Sequence, residues 1–206
     1  MFRKIHMTFY IVMIHLLSYP TFTAAQSSQM AETFDLQECA DLQERTDIQE
    51  FANVQKIGRT ELQRCGVADL KAYGIFTVGE SALYRRNCEQ TWSFPPDETL
   101  YMEFRYYREI PAKAFRESAN RILQRNIDLK ASEKALLKEF HKAYRSVNDG
   151  DVYVISFNRN TGLKLDLNGQ PLATLDDIYL ARNYFSIWLG RSPFDENVKR
   201  QLLGQK

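Results

Sequence analysis

Between residues 51 and 204 the apolar positions recur in two rhythms, a period of two that suits strands and a period near 3.6 that suits helices. Leu100, Met102, Phe104 and Tyr106 alternate with Tyr101, Glu103, Arg105 and Tyr107, which predicts a strand with one apolar face and a semi-polar aromatic back. Upstream, Leu62 through Tyr73 and Ile75 through Tyr84 read as an antiparallel pair around Gly74. Gly66 and Gly79 interrupt that pair where a bulge or a close backbone approach is needed. Downstream, residues 152–157 and 163–167 are strands joined by an Asn-Thr-Gly loop, and Asn168-Gly169 turns the chain tightly into a third strand around Leu172.

The helical rhythm falls in two blocks. Pro111 suits a first turn, with Phe115, Ala119, Ile122 and Leu123 as the stripe that follows. Ser132 is the expected N-cap of a second helix whose buried side is Leu136, Leu137, Phe140, Tyr144 and Val147, stopped by Asn148-Asp149-Gly150. Ile178, Ala181, Phe185 and Trp188 recur on one face up to Gly190, and Asp195 caps a short helix that ends at Leu203-Gly204. Strands and helices come in separate runs, so the class is α+β, an antiparallel sheet packed against a layer of α-helices.

The first 25 residues stand outside this pattern. Arg3, Lys4 and His6 precede an apolar run from Met7 to Leu17, then Pro20 and the small residues Thr23, Ala24 and Ala25, the order of a secretory signal cleaved after Ala25. The run is about half of the roughly 20 residues that cross a bilayer, so no integral membrane segment is expected once it is removed. Residues 26–50 are polar and form a solvated lead-in with a short helix around Phe34 to Leu42. Cleavage removes two cations and no acid, taking the formal charge from +1 to −1, which argues against nucleic acid as a partner.

Export places Cys39, Cys65 and Cys88 where disulfides persist, and three cysteines allow at most one internal bridge. Cys65 with Cys88 is the favoured pair, since both lie at the ends of adjacent strand-like segments; the alternative is that none forms. No cysteine or histidine spacing suits a metal, so neither metal nor cofactor is expected. His141, beside Lys138 and Arg145, reads as a solvated side chain. Asp176-Asp177 reads as a helix start, where carboxylates meet the dipole, Glu103 with Arg105 as a surface pair, and Trp188 and Phe185 as core rather than cleft lining.

Taken together, Gly66-Val67, Ala82-Leu83-Tyr84, Arg108-Glu109-Ile110-Pro111, the Leu163 to Gly169 hairpin, and Ser186-Ile187-Trp188-Leu189-Gly190 followed by Leu202-Leu203-Gly204 resemble the chalcone isomerase-like family, in its exported bacterial branch. The resemblance makes 51–206 one chalcone isomerase-like domain and implies an open-faced β-sandwich, a fold that in plants hosts a flavonoid-forming isomerase and noncatalytic fatty-acid-binding proteins. The plant enzymes carry an arginine directly after the Gly-Val pair, where this chain has Ala68. Their two threonines fall at Gly79 and Ile187, and their asparagine falls at Ser118; Arg105 and Tyr107 are the only nearby polar replacements. The implied reading is a periplasmic protein that binds an apolar small molecule such as a fatty acid without catalysis. The alternatives are an isomerase with an altered site and a partner-binding protein whose cleft is filled.

Strand parity then names the cleft wall. If the position after Gly66-Val67 faces the ligand as in the relatives, Ala68, Leu70 and Ala72 face it together, with Thr77, Gly79 and Ser81 from the neighbouring strand. The leader has its own test: intact mass of the protein from the cell envelope is expected to begin at Gln26, and a mass retaining Met1 or Arg3 overturns cleavage.

Overall fold

The computed structural model describes residues 50–72 and 76–205. The leader, the lead-in with Cys39, and the residues at Gly74 lie outside them, as does the side chain of Ala72. Phe51–Lys206 forms one compact unit. Its strands are β1 (Val54–Ile57), β2 (Thr60–Ala72), β3 (Phe76–Arg85), β4 (Leu100–Tyr106), β5 (Val152–Asn158), β6 (Gly162–Leu167) and β7 (Gln170–Leu175). Every strand bonds antiparallel to the next in sequence, giving a single seven-stranded meander. The Asn168-Gly169 turn has φ positive at both residues, the backbone hand that matches strand twist in a two-residue hairpin. Strand β1 was not legible in the pattern: its four residues alternate only between exposed and half-buried.

Helices α1 (Ala112–Asn126), α2 (Ala131–His141), α3 (Ile178–Tyr184), α4 (Ser186–Leu189) and α5 (Glu196–Leu202) complete the unit. Pro111 and Asp195 stand at the N-caps of α1 and α5; the Asp195 carboxylate accepts from the Asn197 and Val198 amides. Asp177 caps α3 by accepting from the Leu180 amide, as a carboxylate at a helix start should. Three expectations are corrected. Lys130, not Ser132, is the N-cap of α2, because the Glu133 side chain reaches back to accept from the Lys130 amide at 2.7 Å. That helix ends at His141 rather than near Val147, which instead bridges Ile110 in a short antiparallel contact, and Leu136 is exposed. The stripe from Ile178 to Trp188 is two segments broken at Phe185, and Tyr184 joins its buried side.

The helices cover one face of the sheet. Cross-strand register sets Leu70, Gly79 and Tyr106 in one row of that face and Ala68, Ser81, Phe104 and Tyr153 in the next. Two glycines permit the packing. A Cβ on Gly66 would lie 2.0 Å from the Gln201 carbonyl oxygen of α5, and one on Gly79 would lie 2.1 Å from the Arg105 carbonyl oxygen of β4. Both glycines adjoin register shifts, at Arg64/Gly66 and at Leu70/Lys71, so the interruptions in the strand pattern mark bulges and close approaches at once.

A disulfide joins Cys65 to Cys88, with Cα atoms 5.1 Å apart. Closing a loop of this length contributes about 3 kcal/mol in the chain-entropy picture. On the other face of the sheet, Phe51 lies under the Arg105 guanidinium at 4.0 Å, and Arg105 donates from Nε and Nη2 to Glu103 at 2.8 Å. The expected surface pair is therefore largely enclosed: Glu103 is 7% exposed and also accepts from Gln55 Nε2 at 3.3 Å, and Arg105 is half-buried.

Gly79→Ala is expected to destabilise the fold by about 1–3 kcal/mol, since the methyl group meets main chain that has no rotamer to yield. Denaturant unfolding measures this. An unchanged midpoint would mean that β3 and β4 are not held at this spacing.

Candidate functional site

The helical layer does not close completely over the sheet. Between β2–β4 and helices α1 and α4 lies a cleft of about 600 Å³, within the range of small-molecule sites. Its floor is Leu70, Val78, Phe104 and Tyr106. The α1 stripe supplies Phe115, Ala119 and Ile122, a helical spacing that puts all three on the face toward the sheet. Ile187 and Trp188 bound it from α4, with Trp188 tilted against Phe104 at a ring distance of 5.0 Å. Phe185, by contrast, is wholly buried core, so the helical aromatic pair divides between the two roles. Exposed Lys71, Glu117 and Arg121 stand at the mouth.

Among the residues marked from strand parity, Leu70 lines this cleft. Ala68 and Ser81 lie on the same sheet face but are sealed beneath the core, where the Ser81 hydroxyl donates to the Ala68 carbonyl at 3.4 Å. Gly79 is buried against the β4 main chain. Ala72 ends β2, and Thr77 pairs with Lys71 and is half-buried without reaching the cleft. The reason is the bulge: Leu70 pairs with Gly79 and Lys71 with Thr77, so Val78 is the extra residue, and its side chain enters the cleft in place of Thr77. Parity counted along the strand has no means of locating that step. Arg105 and Tyr107 alternate with Phe104 and Tyr106 and belong to the opposite face.

Of the positions that carry polar groups in the plant enzymes, Ser118 and Ile187 line the cleft and Ala68 lies below it. No cationic side chain stands in the interior of the cleft among the described residues. Its deep end is aromatic. Phe115 stacks on Tyr144 at 5.7 Å and meets Tyr106 and Tyr153 edge-on at 5.5 and 5.4 Å, geometries that favour ring pairs beyond their area alone.

Behind Tyr144 runs a buried polar chain that the sequence pattern concealed. His141 is 2% exposed, not solvated as its neighbours Lys138 and Arg145 suggested; α2 turns it inward with Phe140. Its Nδ1 lies 3.0 Å from Asn120 Oδ1 and its Nε2 lies 3.0 Å from the Tyr184 hydroxyl, which is 2.9 Å from that of Tyr144. With the amide oxygen of Asn120 accepting from Nδ1–H, Nε2 accepts from Tyr184 and Tyr184 accepts from Tyr144. Both ring nitrogens of His141 and the hydroxyls of Tyr184 and Tyr144 are paired, which is what lets them reside among apolar side chains, while Asn120 closes the chain at the exposed surface of α1.

Burial holds the His141 pKa down to about 4 from its usual 6.5. The unfolded chain therefore binds a proton that the native state refuses. This contribution to stability is fully present above pH 6.5 and is lost as pH falls toward 4, by about 3 kcal/mol in all. Thermal melts from pH 7 down to 4 should show that decline, and His141→Gln should flatten it while lowering stability at pH 7. An unchanged slope in the variant would assign the pH dependence elsewhere.

Known proteins supply the remaining comparison. No curated protein matches the chain. The crystal structure of a fatty-acid-binding protein of Arabidopsis thaliana is similar to it in fold, with a TM-score of 0.57 and 15% identity over 75% of this chain and 91% of that one. A family model described as chalcone isomerase-like matches residues 44–204, which takes in the whole sheet and the helices that form the cleft. The chain belongs to the chalcone isomerase-like family.

Proposed function

We propose that this is an exported, periplasmic binding protein of the chalcone isomerase-like family that holds an apolar small molecule, such as a fatty acid, in the cleft between sheet and helices and does not transform it. The observation that carries the reading is the cleft itself, open, predominantly apolar in its lining, and without a cation inside. Apolar contact favours a hydrocarbon there by about 25 cal/mol per Å² removed from water. The solved fatty-acid-binding protein of the same fold supports this class of ligand. The leader-like order of residues 1–25 supports export.

Catalysis of the plant type needs groups that steady a developing anion, each commonly worth a factor of about 100 to 1000. Ala68, Gly79 and Ile187 supply none. Purified protein is expected to leave chalcone cyclisation at its background rate, and turnover near that of a plant isomerase would replace the binding reading with an enzymatic one.

Native mass spectrometry of the mature protein drawn from its own cell envelope tests binding directly, because a retained ligand adds mass. Ala114→Trp tests the location. Ala114 is exposed on α1 and borders the cleft, so an indole there obstructs entry without overfilling the core. It should abolish binding of an apolar fluorescent probe while leaving the melting temperature near that of the parent. Undiminished probe binding would place the site elsewhere.

A further inference from the structure

Three tyrosines meet at the deep end of the cleft, and their hydroxyls are not equivalent. That of Tyr144 is engaged with Tyr184, and that of Tyr153 accepts from the Arg145 amide at 2.8 Å and donates to the Arg145 carbonyl at 3.0 Å. Tyr106 is only 6% exposed, lines the cleft, and its hydroxyl bonds to no described residue. The hydroxyls fully enclosed without a partner among the described residues are different ones, those of Tyr84 and Tyr107 on the opposite face of the sheet and that of Ser186 in α4. The Tyr106 hydroxyl is not among these, so the cleft leaves it accessible, and such a donor in an apolar lining is one that a ligand or water engages. Burial and the neighbouring Tyr144 and Tyr153 push the Tyr106 pKa well above its usual range, which keeps the phenol protonated and able to donate.

The chemistry of the acceptor follows from what surrounds it. A carboxylate brought to this depth would need a counter-cation, since stripping an ion of water costs several kcal/mol. Lys71 and Arg121 are exposed at the mouth, and no lysine or arginine lines the deep end among the described residues. An uncharged oxygen carries no such penalty and needs only the one donor that Tyr106 offers.

We propose that Tyr106 is the polar contact of the cleft, donating a hydrogen bond to an uncharged carbonyl oxygen, of a ketone or an ester, on an otherwise apolar ligand. The proposal rests on the cleft being a ligand site and specifies what that site recognises. An anionic head, where a ligand has one, stays at the mouth beside Lys71 and Arg121.

Three probes of one length separate the possibilities by calorimetric titration of the full mature protein: methyl nonyl ketone, its isostere with C=CH2 in place of C=O, and undecanoate. Tyr106→Phe is expected to weaken the ketone about 3- to 10-fold relative to the isostere, the factor one net hydrogen bond supplies, without lowering the melting temperature of the ligand-free protein. The carbonyl stretch of the bound ketone should also fall below its frequency in hexane, a readout that needs no variant. Equal weakening of ketone and isostere, an unshifted stretch, or undecanoate as the ligand most sensitive to Tyr106→Phe overturns the proposal and leaves the cleft reading standing. Failure of the parent protein to bind any of the three overturns the cleft reading, and the proposal with it.

Discussion

One face of a seven-stranded meander has to be covered, and the rest of the structure follows from how incompletely the helices do it. Consecutive antiparallel strands put Leu83, Met102, Ile155 and Leu165 in one row across the sheet, an apolar surface that no single helix spans. Helices α3, α4 and α5 seal much of it, α5 approaching the β2 backbone closely enough that Gly66 has no room for a side chain. Over Leu70, Phe104 and Tyr106 the cover is partial, and the cleft is what remains. Its shape is thus a property of packing between distant segments and not of any local motif.

Polar groups inside that layer are handled in two ways. Asn120, His141, Tyr184 and Tyr144 form a chain in which each hydrogen bond orients the next, so a histidine sits neutral in the core beside the cleft. Such a chain ties α1, α2 and α3 together, and losing Tyr184 from its middle leaves both His141 Nε2 and the Tyr144 hydroxyl without their partner. Tyr106 is treated differently: its ring belongs to the aromatic cluster while its hydroxyl bonds to no described residue. Ser186 Oγ, enclosed in α4, likewise has no described partner, whereas Tyr106 lines the cleft itself.

The opposite face has its own economy. Arg105, with Tyr107 the nearby polar candidate for chemistry, is engaged by Glu103 and Phe51. Their strand orders them correctly by alternation, yet which side bears the cleft is decided by where α1 and α4 dock. The family relationship gives the sheet and the helical layer, and Ala68, Gly79 and Ile187 stand where the resemblance places an arginine and two threonines of the plant enzymes.

Local periodicity determined most of the secondary structure by itself. The alternation in residues 100–107, the Asn168-Gly169 turn, and the Asp177 and Asp195 caps each depend on neighbours within a few residues, and each stands as expected. The glycine interruptions also announced bulges, because a close approach leaves its mark on the residue type. Tertiary structure decided the site. The bulge that exchanges Thr77 for Val78 shifts a strand's parity at a point that pairing with β2 selects. His141 is flanked by lysine and arginine and gains its burial from Tyr184, 43 residues away. That the Tyr106 hydroxyl bonds to no described residue, while those of Tyr144 and Tyr153 are engaged by Tyr184 and Arg145, is a fact about five separated residues that no local pattern contains.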